Sequence, residues 1–128
     1  MRNNLQFYIG GNWVEPTSPE TLEVENPSTE TVCGRIGSAS EADVDMAVRA
    51  ARAAFPTWST TSVEDRLACF DRICEEYQRR LPDLAAAVTE EMGAPAGLSS
   101  YAQAPIGLGH LSVAREILRN FEFERDAG

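Results

Sequence analysis

The sequence contains no lysine, since all 11 basic residues are arginine. A chain without a side-chain amine cannot form a Schiff base or use lysine as a base or a phosphate ligand. Histidine is nearly absent as well, with His110 alone in the chain. Because common zinc sites need paired Cys or His ligands at short spacing, one histidine and three cysteines do not predict a metal site of that kind.

Positive charge and long hydrophobic runs are also scarce. Twenty acidic residues give a formal net charge of −9, which repels phosphate backbones and anionic lipid headgroups. Residues 1–6 lack the apolar core of a secretory signal, and no apolar run approaches the length of a membrane span. We therefore expect no nucleic acid or membrane partner and a cytoplasmic location. An odd number of cysteines without framework spacing fits reduced thiols in that compartment.

Residues 1–39 have the pattern of short strands joined by turns. Within 7–14, the pair Gly10-Gly11 separates two apolar runs and predicts a hairpin with a two-residue loop. The segments 21–25 and 31–36 flank an Asn-Pro turn, which predicts a strand, a turn and a second strand.

Residues 40–128 have helical periodicity. Ser40 is the predicted N-cap of a first helix, and Pro56 marks the exit from it. A second helix is predicted to begin near Ser62, with Asp65 three residues later as a variant of the capping box. Two pairs in this helix have the order and spacing of i,i+4 ion pairs: Glu75 with Arg79, and Glu76 with Arg80.

Two further helical stretches complete the expected fold. Pro82 fits the first turn of the third helix, which ends at Gly93. The last stretch spans about Ser99 to Phe121, and Pro105 should kink it or restart it because proline lacks an amide hydrogen. The pattern predicts an α+β fold in which a hairpin and short strands precede three to four α-helices.

Neither the thiols nor the histidine predicts a catalytic group. Cys69 and Cys74 lie five residues apart on one predicted helix, about 140° around its axis, so they cannot act together on one atom. We interpret both as packing residues. Cys33 lies on a predicted strand without a base or a helix N-terminus to lower its pKa. His110 has no identifiable orienting carboxylate, and we interpret it as a helix-surface or subunit-contact residue.

Gly107 and Gly109 begin a segment that starts like a dinucleotide-binding fingerprint. The segment lacks the third glycine and follows a helical stretch rather than a strand, so we do not interpret it as a cofactor loop. The glycines are expected to permit close packing between helices. The acidic pairs at 75–76 and 90–91 are interpreted as solvated charges, because adjacent helical residues point in different directions.

The order of several segments resembles the opening of the aldehyde dehydrogenase superfamily. The segments that carry the resemblance span the chain at the expected spacings: FYIGGNWV at 7–14, VENPST at 24–29, DVDMAVRAARAAF at 43–55, Trp58, Arg66-Leu67 and EEMGAP at 90–95. The resemblance implies an N-terminal segment that forms part of a Rossmann-like cofactor-binding domain. Residues 1–39 would supply its strands and turns, and residues 40–128 its helices, with the catalytic domain absent.

The resemblance also implies NAD(P)-dependent oxidation of an aldehyde to a carboxylate. In that family a thiolate attacks the carbonyl, hydride passes to nicotinamide, and a water activated by glutamate releases the acyl group. The family's asparagine loop, cofactor turn, glutamate base and cysteine nucleophile would all lie beyond Gly128, and none of the three cysteines here matches the nucleophile. We therefore expect no catalytic or cofactor-binding residue in this chain, which would be inert alone. NAD or NADP would bind the full-length parent, a homo-oligomer (dimer or tetramer).

Several family members bind a structural monovalent cation. One ligand is the backbone carbonyl before the Asn-Pro turn, and another is a carboxylate about ten residues after the glycine of Gly-x-Pro. The matching positions here are Glu25 and Gln103. A glutamine ligates through its amide oxygen but brings no charge.

An alternative function is a stand-alone helical interaction or oligomerisation module derived from the same family. Truncation or proteolytic cleavage of a longer chain would fit the dehydrogenase interpretation, whereas a gene that stops after Gly128 would fit the module. In each case an apolar face separated from its parent domain predicts self-association.

Overall fold

The computed structural model of the chain describes residues 2–128. Strands occupy the part before residue 38 and helices the part after residue 40, which confirms the predicted α+β order. The residues form two compact units. One holds residues up to Thr60 together with Glu90–Gly93, and the other holds Thr61–Thr89 together with Ala94–Gly128. The division into domains at residues 39 and 40 stays a prediction.

The first unit contains a three-stranded sheet with the order β1-β5-β4. β1 (Arg2–Asn4) runs parallel to β5 (Thr31–Gly37), and β4 (Thr21–Asn26) runs antiparallel to β5. β4 and β5 confirm the predicted strand pair, whereas β1 was not predicted, because Arg-Asn-Asn has low strand propensity. Between β4 and β5, Asn26 Oδ1 accepts a hydrogen bond from the amide of Ser28 at 2.9 Å, which forms an Asx turn.

A separate hairpin joins β2 (Phe7–Ile9) to β3 (Asn12–Val14) and confirms the prediction. Gly10 and Gly11 form its loop with φ values of 60° and 86°. A type I′ turn requires positive φ at both central residues, and glycine adopts such values without steric cost. The Gly-Gly pair is therefore what permits this tight connection.

The first helix, α1 (Glu41–Trp58), begins at the predicted N-cap, Ser40. The predicted exit at Pro56 is wrong, because α1 continues past that residue and ends at Trp58. Proline removes only its own N–H from the helical ladder, and the amide of Ser59 still donates to the carbonyl of Phe55 at 2.8 Å. One missing hydrogen bond does not end this helix.

The two following helices agree with the sequence patterns. α2 (Val63–Arg79) begins at Ser62, whose hydroxyl accepts a hydrogen bond from the amide of Asp65 at 3.0 Å. α3 (Leu81–Met92) ends at Gly93, which has a φ of 67°. A left-handed residue just past a helix end is usually glycine, so the predicted C-terminus is confirmed.

The last helical segment contains a π-helical turn. α4 (Ala96–Leu98), the π turn (Ser99–Gln103) and α5 (Ala104–Asn120) follow one another without a break. Pro105 lies in the first turn of α5, which confirms the predicted restart. The segment begins at Ala96 rather than Ser99, because the short α-helical turn Ala96–Leu98 precedes the π turn.

In the second unit, α2 packs against α5. Tyr77 Oη donates a hydrogen bond to the carbonyl of Ala104 at 2.9 Å. A Cβ atom built on Gly107 would overlap the hydroxyl of Tyr77. An ion pair of 2.6 Å between Arg115 Nε and Asp71 Oδ1 joins the same two helices. Close backbone approach and polar contacts therefore hold α2 and α5 together.

Candidate functional site

The three thiols are the chain's candidate nucleophiles. All are free and half-buried. Cys33, on β5, donates its S–H to the carbonyl of Val24 at 3.3 Å. Cys69 and Cys74 lie on α2, where half-burial fits their interpretation as packing residues. Within residues 2–128, no group of three or more His, Cys, Asp or Glu side chains is placed to hold a metal ion.

The histidine and the glycine-rich segment at 107–112 lie inside α5. His110 is exposed, which agrees with its interpretation as a helix-surface residue. The amides of this segment lie in the middle of a helix. They therefore do not form the phosphate-binding arrangement that free amides make at a helix N-terminus. Gly107 lies under Tyr77, as predicted for close packing. The same prediction is wrong for Gly109, because nothing lies within 4 Å of a Cβ atom there.

Asp43 is a buried carboxylate, only 2% exposed, at the start of α1. It accepts hydrogen bonds from the amides of Ser40 and Thr17 at 2.9 and 3.0 Å and from their hydroxyls at 2.9 and 3.1 Å. The Ser40 amide contributes most to holding the pKa of Asp43 below its ordinary value, and burial opposes this shift. A carboxylate with four donors is ionised and fully engaged, so Asp43 fastens the segment around Thr17 to α1.

Sequence reasoning recognised only part of this cluster. It placed Ser40 at the N-cap of the first helix. The Ser-x-x-Asp spacing was a local signal for the capping box that the structure contains. The contact with Thr17, 26 residues away, has no such local signal.

Ion pairs at the end of α2 converge on Glu76. Its Oε1 lies 2.6 Å from Arg79 Nη2 and 2.6 Å from Arg80 Nε. Hydrogen bonds from Arg79 and then Arg80 lower the pKa of Glu76 to about 2. The predicted pair of Glu76 with Arg80 is confirmed. The predicted pair of Glu75 with Arg79 is wrong, because Arg79 bonds to Glu76 at i,i+3 spacing instead.

The two candidate cation ligands lie on different elements. Glu25 is on β4 in the first unit, and Gln103 ends the π turn in the second unit. Gln103 Oε1 is buried and has no hydrogen-bond partner within residues 2–128. A buried amide oxygen without a protein partner is free to accept a hydrogen bond or to bind a cation. The amide oxygen of Gln103 is therefore the kind of atom that could serve as a cation ligand.

A buried hydroxyl fixes the start of the π turn, and sequence reasoning missed it. Ser99 is fully buried, accepts a hydrogen bond from Thr89 Oγ1 at 2.9 Å and donates to the carbonyl of Pro95 at 3.3 Å. These contacts use both the donor and an acceptor site of the hydroxyl. Ser99 thus has a structural role at the start of the π turn that Gln103 ends.

Most large apolar side chains are at the surface. Within residues 2–128 the buried hydrophobic residues are Ala85 and Ala104, whereas 18 large hydrophobic side chains are exposed, with Tyr101 at 75%. A groove of about 410 Å³, here called the α2 groove, is lined by Cys69, Arg72, Ile73, Glu76, Tyr77, Arg80 and Leu84. A chain of this length normally buries far more apolar surface. Exposed apolar patches of this kind mark interaction surfaces.

The most prominent feature of the described residues is apolar surface available for contact. The sequence did not predict the α2 groove, because it depends on how the start of α3 lies beside α2. None of the helices within residues 2–128 has the length and apolarity needed to traverse a bilayer.

Comparison with known proteins was made at the level of sequence and of fold. A sequence model described as "Aldehyde dehydrogenase family" matches residues 13–125. The chain is 46% identical over 129 aligned residues to a 3-succinoylsemialdehyde-pyridine dehydrogenase from a Pseudomonas species, a match that covers 100% of this chain and 27% of that protein. The chain therefore spans about a quarter of the length of the curated relatives it matches.

Solved structures agree. An aldehyde dehydrogenase from Bartonella henselae superposes with a TM-score of 0.96 at 38% identity, over 100% of this chain and 27% of that one. A mutant of aldehyde dehydrogenase C from Pseudomonas syringae, solved with NAD+ and octanal, superposes with a TM-score of 0.93 at 44% identity, over 97% of this chain and 26% of that one. The similarity is to an N-terminal segment of these proteins.

Proposed function

The chain belongs to the aldehyde dehydrogenase family, and we propose that it acts as the N-terminal scaffold of an enzyme that oxidises an aldehyde to a carboxylate with NAD or NADP. The observation that carries this proposal is the match over the whole chain, with a TM-score of 0.96, to about a quarter of a dehydrogenase. Its own residues would supply no reacting group. They would position the parts of the enzyme that do.

The cofactor would bind the parent outside this chain. Nicotinamide supplies the acceptor for hydride when it is bound. The glycine-rich segment at 107–112 does not fit a dinucleotide, because it is helix interior rather than a strand-to-helix turn. The P. syringae structure was solved with NAD+, which supports NAD for the parent. We further propose a cytoplasmic homo-oligomer, a dimer or tetramer.

A chimeric enzyme tests this scaffold function. This chain replaces the matching segment of the unmutated P. syringae enzyme, and octanal oxidation is followed through NADH absorbance. We expect turnover by the chimera and none by the 128-residue chain alone, with NAD or NADP and a panel of aldehydes. Turnover by the pure chain would refute its inertness, and a folded chimera without turnover would refute the scaffold function.

We also propose two cation ligands that the resemblance implies, each taken by itself: the backbone carbonyl of Glu25 and Gln103 Oε1. The support for Gln103 is its buried amide oxygen, which has no hydrogen-bond partner within residues 2–128. In the chimera, Na+ or K+ should raise the melting temperature above that in tetramethylammonium chloride at equal ionic strength. Gln103→Met should abolish this difference, whereas the exposed control Gln78→Met should keep it. An equal cation effect in both variants would exclude Gln103 as a ligand.

The alternative, an interaction or oligomerisation module, is favoured by the 18 exposed large hydrophobic side chains. It predicts that the chain alone forms a discrete oligomer in sedimentation velocity. The scaffold function predicts open-ended association that the chimera suppresses.

A further inference from the structure

We draw no further inference here: the strongest candidate, the open cavity of about 610 Å³ between the β2–β3 hairpin and the alanine-rich face of α1, is an apolar surface, and nothing in the described part of the chain shows what covers it.

Discussion

Gly107 and Gly109 lie two residues apart on α5, and replacing each with alanine should change the free energy of unfolding in opposite directions. At Gly107 a Cβ atom would lie 2.7 Å from Tyr77 Cζ and overlap the hydroxyl. The ring cannot swing away freely, because its Oη donates to the carbonyl of Ala104 at 2.9 Å. At Gly109 a Cβ atom meets nothing within 4 Å.

The magnitudes follow from these contacts. Alanine in place of glycine stabilises a helix interior by about 0.8–1.0 kcal/mol, and Gly109→Ala should gain roughly that amount. Gly107→Ala gains the same propensity but incurs about 1–3 kcal/mol of overpacking and about 1 kcal/mol for the strained or lost tyrosine hydrogen bond. The net expectation for Gly107→Ala is a loss of about 1–3 kcal/mol.

Thermal and urea unfolding followed by circular dichroism measure both changes in the 128-residue chain. A double-mutant cycle with Tyr77→Ala tests the cause. Once the ring is removed, Gly107→Ala should become stabilising, like Gly109→Ala. If Gly107→Ala is equally harmful without the ring, or if both glycines respond alike, the tyrosine contact does not explain the need for glycine.

Two further predictions concern polar contacts at helix starts. The pKa of Asp43 is depressed from 3.8 in the folded state, so its contribution is present above that value and is lost as the pH falls through the folded pKa. Thermal melts from pH 7 to pH 2 should therefore show Asp43→Asn to be less stable at pH 7 and less sensitive to acid than the parent, whereas exposed Asp45→Asn should behave like the parent. An unaltered acid profile in Asp43→Asn would contradict this linkage. Ser62→Ala should lose about 1 kcal/mol because it removes the hydroxyl that caps α2, whereas Ser62→Asp should retain most of the stability. Equal melting temperatures for these two variants would refute the capping role.

Local patterns in the sequence predicted most of the fold. Gly10-Gly11 specifies its turn through backbone conformation alone, and Ser40 and Gly93 mark helix ends through contacts within one turn. The failures depend on distant partners. β1 has no strand-forming residues and exists through parallel pairing with β5, and the difference between Gly107 and Gly109 depends on where one tyrosine of α2 lies.

The candidate site divides in the same way. The expectation that this chain holds no catalytic set comes from residue types and from the resemblance, since neither requires coordinates, and it stays a prediction. The α2 groove could not be predicted in this way, because Ile73 has the spacing of a core residue and only the packing of α2, α3 and α5 leaves it exposed. Binary patterning predicts which face is apolar, but not whether the chain itself covers that face.

Polar groups that could perform chemistry in this chain are mostly engaged in holding it together. Asp43 accepts four hydrogen bonds, Glu76 binds two arginines, and the Cys33 thiol donates to a carbonyl. Within residues 2–128, the amide oxygen of Gln103 is buried without a hydrogen-bond partner, and the exposed guanidinium of Arg72 lies beside an apolar groove. Neither is a nucleophile or a general base at neutral pH, but both are suited to complete a contact. A buried acceptor without a partner and exposed apolar side chains together indicate surfaces that are available for contact with further protein or an ion.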